Sequence, residues 1–379
     1  MTLVSVQAFG LASPGGGPRI LRALYADPPV AVLNVATQSR VPPPAPSHHE
    51  RHIALRPALG PLEGSRVAGW TQPLDLALGP LLRARLQRVL RARRAFAVHA
   101  VAHGIEFWPA YGAARSVGLP FFLTVHDDVG YNLRHSVTLR AELARLGTAW
   151  RGSAHRFVIS RALGEEYSAR YGARAYSTVT DGLDERSLHA PRPAVGLHVY
   201  FAGLFNRAYI PNLPRFVQAL EHLVALRGAD DVSLTCRCGA LPVDVYSDVP
   251  VTVMPFGDEA AVQDDLGRAD LLYLPLPFEQ DFADLVDFSL STKLITYLGS
   301  GLPIVYHGPA RGAAHELLAR HDAAILATSQ DPAVIATTIE RGVQRSGEIV
   351  ARALRLARDE FLLEEQRRRF WTPILAATR

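Results

Sequence analysis

Two α/β domains, each a parallel sheet covered by helices, are the fold that this sequence predicts, and three observations carry the expectation. The chain has 379 residues, against the roughly 100–200 typical of one domain. Short apolar strand-like runs alternate with helical spacing along nearly its whole length, the pattern of parallel sheets with crossover helices. The alternation then restarts after Ala190-Pro191-Arg192-Pro193, a proline pair suited to a linker. These features divide the chain into a first domain over 1–190, a second over 191–355 and a terminal helical segment over 356–379.

Strands of the first half are expected at Leu3–Ala8, Val30–Val35, Ala95–Ala100, Phe121–Val125 and Arg156–Ser160. Those of the second half are expected at Leu197–Phe201, Val232–Cys236, Val251–Met254, Leu271–Leu274, Pro303–Tyr306 and Ala324–Leu326. Val41–Glu50 holds Pro42, Pro43, Pro44 and Pro46 before His48 and His49, which excludes regular structure and makes it a loop or lid. Glu348–Arg369 reads as one long charged helix, with Trp371-Thr372-Pro373 ending or kinking it.

Composition narrows the class. Hydrophobic residues at 48% and charged residues at 20% supply a core large enough to offset the chain's ordering entropy, which excludes disorder for most of the length. Cys236 and Cys238 stand too close in sequence to staple distant segments, so a reducing, cytoplasmic setting is expected. Met1–Gly10 lacks a basic leader pattern and reads as a first strand. No window reaches the roughly 18–20 apolar residues of a membrane span. A net charge of +4, spread over this length, gives no argument for nucleic acid. Of 40 basic residues a single one is lysine, Lys293, which leaves 39 arginines. A lone lysine in such a chain marks either a site that needs a compact ammonium or a chance survivor at an exposed position.

Three motifs carry chemistry. After the first strand, Ser13-Pro14-Gly15-Gly16-Gly17-Pro18 opens a helix; its glycines permit close approach to a ligand at free helix amides, while a plain strand-to-helix turn is the alternative. Phe121–Val125 ends in His126-Asp127-Asp128, at the strand end where open α/β sheets bind ligands. The imidazole can donate to a sugar hydroxyl and a carboxylate can accept a proton, although either aspartate could instead cap the next helix. A metal site is not supported, since no further ligands stand at a suitable spacing. The third motif runs from Asp287 to Val305. Ser289 or Ser291 caps a short helix, and Ser291, Thr292 and Lys293 line its open end as an anion cradle suited to a diphosphate. His99 and His103 flank the strand end before Gly104, where they line an acceptor site or serve as buried structural histidines.

Taken in order, these pieces resemble glycosyltransferases of the GT-B fold, the group-1 type that uses nucleotide-sugar donors. The resemblance rests on Gly15–Gly17, Thr124-Val125-His126-Asp127, Phe157–Ser160, Thr180–Asp184, Ala202-Gly203-Leu204, Ser291–Leu294, Tyr297-Leu298 and Gly301–Val305. It implies two Rossmann-like domains facing across a cleft, an acceptor in the first, a nucleoside diphosphate sugar as substrate in the second, and a terminal helix that crosses back. No metal or other cofactor is implied. His126, Asp127 and Asp128 become catalytic candidates; Gly16, Gly17, Gly203, Arg207, Ser289, Ser291, Thr292, Lys293 and Thr296 become donor-binding candidates. Thr296 stands where many members carry a ribose-binding glutamate, and Phe288 where its partner glutamate would be; Glu279 lies further upstream. Arg207 is the one cation near the Gly203 turn.

The implied reaction is sugar transfer to a hydroxyl of a glycan or lipid-linked glycan, in cell-envelope or extracellular polysaccharide synthesis, with either retention or inversion. A sugar-nucleotide epimerase of the same fold and a non-catalytic sugar- or nucleotide-binding module are the alternatives. Leu81–Arg94 places Leu82, Leu86, Val89 and Leu90 on one face and arginines elsewhere, a profile for peripheral contact with anionic lipid at the inner face of the membrane, or for an ordinary surface helix.

Overall fold

The structure, a computed structural model, describes residues 1–13, 15–37, 49–54, 71–132, 134, 136–205, 207–241 and 247–377. It divides into two compact units, one of Met1–Asp181 with Leu363–Arg379 and one of Gly182–Leu362.

The first unit runs β1 (Thr2–Gln7), α1 (Gly16–Tyr25), β2 (Ala31–Ala36), β3 (Glu50–His52), α2 (Thr71–Ala92), β4 (Ala95–Val101), α3 (Phe107–Ser116), β5 (Phe121–Val125), α4 (Val129–Asn132), α5 (Leu139–Gly152), β6 (His155–Val158), α6 (Arg161–Tyr171) and β7 (Tyr176–Thr178). Its seven strands form one parallel sheet in the order β3-β2-β1-β4-β5-β6-β7. Central strands buried on both faces must be apolar throughout, and Phe121-Phe122-Leu123-Thr124-Val125 is buried at every position. The strand order reverses between β1 and β4, the place where such sheets open a crevice beyond their carboxyl ends.

The second unit runs β8 (Leu197–Ala202), α7 (Asn212–Arg227), β9 (Val232–Arg237), β10 (Val251–Met254), α8 (Glu259–Arg268), β11 (Leu271–Pro275), α9 (Ala283–Phe288), α10 (Thr292–Leu298), β12 (Ile304–His307), α11 (Ala313–His321), β13 (Ile325–Ala327), α12 (Pro332–Gln344) and α13 (Ser346–Glu360). Its six parallel strands lie in the order β10-β9-β8-β11-β12-β13, with the reversal between β8 and β11. Phe216 and Tyr273 stack in its core with ring centroids 3.9 Å apart, and Phe201 packs tilted against Tyr273. The final helix, α14 (Leu363–Ala376), belongs to the first unit.

Several expectations shift. The division falls at Asp181/Gly182 and Leu362/Leu363, not at 190/191 and 355/356. The proline pair is fastened within the second unit: the Arg192 backbone N–H donates to Gly301 O at 2.8 Å, and its guanidinium donates to the carbonyls of Leu266, Gly267 and Ala269. The expected long terminal helix is two helices, broken at Phe361-Leu362, and Pro373 lies inside α14. Strands β3 and β7 were not expected, since three residues each are too short to show a pattern. Of the proline-rich stretch, residues 41–48 lie outside the described residues, while Glu50 begins β3. Leu82, Leu86, Val89 and Leu90 are all buried, so the face of α2 expected to meet lipid is already covered by protein. No helix among the described residues is long and apolar enough to cross a membrane.

Candidate functional site

In the first unit the carboxyl ends of β1, β4 and β5 bring a histidine pair to the start of α1. His103 follows β4 and His126 follows β5, and their rings meet with His103 Nε2 and His126 Nδ1 at 3.1 Å. The close approach needs Gly17. A Cβ there would stand 2.8 Å from His103 Cε1 and 3.2 Å from Phe9 Cζ, inside van der Waals contact, while Phe9 packs edge-on against the His103 ring. Gly16 begins α1 beside it.

Burial holds His126 well below the usual imidazole range, helped by repulsion from His103 and His99. His103 is also lowered by burial, against an opposing pull from Asp127. Two neutral imidazoles joined by one hydrogen bond share one proton, so the far nitrogen of His126 is donor or acceptor according to its partner. That nitrogen, Nε2, is buried with no hydrogen-bond partner among the described residues. An orphaned polar atom in a buried position calls for a ligand group.

Two neighbours in the sequence motif do other work. Asp128 accepts from the Tyr131 backbone N–H at 3.0 Å and pairs with Arg170 at 2.9 Å, buried in both contacts. It therefore fixes the turn into α4 and is removed from the catalytic set, because a carboxylate engaged at both oxygens is a poor base. Asp127 remains half-buried beside the pair. His99 lies in the core, bonded at Nδ1 to Tyr25 Oη at 2.7 Å and at Nε2 to Thr124 Oγ1 at 2.6 Å, with its pKa pushed down to about 3 by burial. It is structural and does not line an acceptor site.

In the second unit the charged centre is Lys293. Its Nζ sits 3.4 Å above the centroid of the Phe201 ring, at the end of β8, and 5.8 Å from that of Tyr209. An ammonium over a ring face gains a cation–π attraction, yet no carboxylate among the described residues pairs with it. Burial brings its pKa down to about 7, and the adjoining Cys236 and Cys238 do not supply an anion, since burial pushes both thiols up, Cys236 to about 12. Local structure explains the placement. Ser291 Oγ accepts from the Leu294 N–H at 3.2 Å and starts α10. Tyr297 Oη accepts from the Ala202 N–H at 3.1 Å and ties that helix to β8. Gly203 turns the chain away at φ 100°, a left-handed conformation in which a side chain is strained.

The remaining donor-binding candidates separate. Thr292 and Lys293 stand at the first turn of α10, but that helix has seven residues, so its dipole is short and the ammonium is the main charge. Thr296 Oγ1 donates to Thr292 O at 3.1 Å and is half-buried. Ser289 follows α9, where its N–H donates to Leu285 O, and Ser291 rather than Ser289 caps α10. Arg207 is exposed after β8. Glu279, in the segment that follows β11, has Oε2 buried without a partner among the described residues; the spacing of the sequence motif passes it over because the run from Glu279 to Lys293 is longer than that motif allows. Among the described residues, no three His, Cys, Asp or Glu side chains converge to hold a metal ion.

No protein-family model matches the chain, and no curated protein matches it by sequence. Solved structures match over full length. A trehalose-6-phosphate synthase, OtsA, superimposes with a TM-score of 0.67 at 12% identity, covering 100% of this chain and 99% of its own. A UDP-forming α,α-trehalose-phosphate synthase from Burkholderia xenovorans gives 0.68 at 12%, covering 100% and 99%. HepE of Anabaena, solved with UDP and glucose, gives 0.64 at 15%, covering 99% of each chain. The chain thus has the GT-B fold, two Rossmann-like units of parallel sheet.

Proposed function

We propose that the chain is a glycosyltransferase that moves a sugar from a nucleoside diphosphate sugar to an acceptor hydroxyl. The observation that carries this reading is Lys293, a half-buried cation without a counter-ion among the described residues, at the strand-order reversal of the second unit. A diphosphate supplies the missing charge. The fold shared with OtsA and HepE supports the same assignment, and the UDP bound in the HepE structure makes UDP the first nucleotide to test.

In the reaction the bond from the anomeric carbon to the diphosphate oxygen breaks, and the diphosphate keeps the electron pair. Lys293, with Arg207 beyond Gly203, stabilises that developing charge, and a preorganised site lowers the barrier most through such electrostatic contacts. The acceptor oxygen bonds to the anomeric carbon and its proton leaves to a base. Asp127, half-buried beside the histidine pair, is the candidate for that role if configuration inverts; if it is retained, the departing phosphate takes the proton. In the first unit His126 Nε2 offers a hydrogen bond to a sugar oxygen, and in the second Glu279 Oε2 accepts from a donor hydroxyl. A glycan or lipid-linked glycan of cytoplasmic envelope-polysaccharide synthesis is the acceptor class that the motif resemblance supports.

Thermal shift with UDP, GDP, ADP and TDP tests this directly, since a ligand at 100 times its Kd adds about 2.7 kcal/mol. One of the four is expected to stabilise the protein, and Lys293→Ala to abolish both that stabilisation and transfer. Silence with all four nucleotides sinks the reading.

A further inference from the structure

The carboxyl end of β3 and the adjoining flank of α2 enclose a cavity of about 500 Å³. It is a separate place from the histidine pair. With β3 three strands from β4 and four from β5, a strand spacing of ~4.8 Å puts the two roughly 15–20 Å apart along the sheet.

The chemistry of its walls is one-sided. Arg51, His52, Arg85 and Arg88 face it, over a floor that includes Ile53 and Val89, and no carboxylate is among the described lining residues. Arg85 Nη1 donates to Ala54 O at 3.1 Å, which anchors that guanidinium to the rim. Arg51 and Arg88 are exposed, and their side chains have neither ion pair nor hydrogen bond with any described residue. Arg85 and Arg88 stand nearly one turn apart on α2, so they share a face. From Arg83 to Arg91 that helix carries four arginines and no acid.

Like charges gathered round one cavity repel, and no acid among the described residues of its walls offsets them. Guanidinium forks match phosphate oxygens in pairs, which is why arginine rather than lysine dominates such recognition. The volume lies within the range of small-molecule sites, about 300–1,000 Å³.

We propose that this cavity binds a phosphate-bearing ligand, with the phosphate between Arg51, Arg85 and Arg88. The site is independent of the donor site and of glycosyl transfer. Its ligand comes either from solution, as a phosphomonoester or diphosphate, or from a phospholipid headgroup. In the second case the headgroup alone makes the contact, because the apolar face of α2 is already buried.

The full chain carrying Lys293→Met, which silences the donor site, is titrated calorimetrically with inorganic phosphate and pyrophosphate. In parallel it is sedimented with phosphatidylcholine vesicles with and without phosphatidylglycerol. Binding in the first arm, or retention on the anionic vesicles in the second, is expected to weaken by about tenfold or more on adding Arg51→Ala and Arg88→Ala, and to fall with added salt. Both arginines are exposed, so the fold tolerates the change, and an unaltered melting temperature checks it. An arginine-dependent signal in either arm supports the site and identifies the source. No binding in both arms, or binding that the double substitution leaves intact, overturns it.

Discussion

In the proposed donor site, Lys293 joins stability and ligand binding in a single ionisation. Its folded pKa of about 7 lies below the ordinary 10.5, so between those values the unfolded chain holds more protons and stability from this group rises with pH. Below pH 7 the buried charge imposes its full cost. Lys293→Met is therefore expected to stabilise the protein by about 1–3 kcal/mol at pH 6 in urea unfolding and by less at pH 9. A bound diphosphate favours the protonated amine, so the affinity for UDP should be level up to pH 7 and weaken above it, read by calorimetry in buffers of different ionisation heat. The histidine pair sets the opposite limb. Both imidazoles are held below the usual value, so transfer should persist below pH 6.5 and fall only when the pair gains a proton. An acidic limb at the ordinary imidazole pKa would mean that His103 and His126 are not the groups observed. The sequence exposed Lys293 through its rarity and His126 through its strand-end position. It could not show that Asp128 is tied to Arg170, since that pair joins residues 42 apart in the chain.

At the scale of elements, strand-to-helix turns place these groups, and their glycines differ in purpose. Gly203 is needed for its backbone angle: a Cβ there meets Lys293 Cε at an ordinary 3.6 Å. Gly17 is needed for space, since the His103 ring occupies the room a methyl would take. Gly17→Ala should push His103 from His126, lowering kcat by about tenfold or more while leaving UDP affinity unchanged. An unaltered kcat would show that the pair's spacing is immaterial. The long parallel strands were legible because burial on both faces writes a continuous apolar run, as in β5 and β11. Edge strands β3 and β7 write no such run, and their pairing is imposed by the neighbouring strand. The break at Phe361-Leu362 was equally hidden: Leu183 receives its partner there, its N–H donating to Phe361 O at 2.7 Å, a contact far away in sequence.

At the scale of the molecule, the chain leaves the first unit at Asp181 and returns to it at Leu363, so the first unit's core is completed by its last helix. Phe370 of α14 is fully buried and touches Tyr25, His99 and Phe157, with its ring centroid 4.7 Å from that of Phe157. Trp371 Nε1 donates to Leu24 O at 3.0 Å, Arg367 Nε donates to Ala23 O at 2.9 Å, and Gln366 Oε1 accepts from the Thr180 N–H at 3.0 Å. Removing such a ring from a packed site costs about 3–5 kcal/mol. The loss falls beside His99, whose bonds to Tyr25 and Thr124 support the strand that carries His103. Phe370→Ala is thus expected to lower the stability of the first unit and raise hydrogen exchange in α1 and β4, while the proposed UDP binding at Lys293, a residue of the second unit, keeps its Kd. Equal loosening of β8 and β9 in the same exchange experiment would show that the two units unfold as one, and the assignment of α14 to the first unit alone would fail.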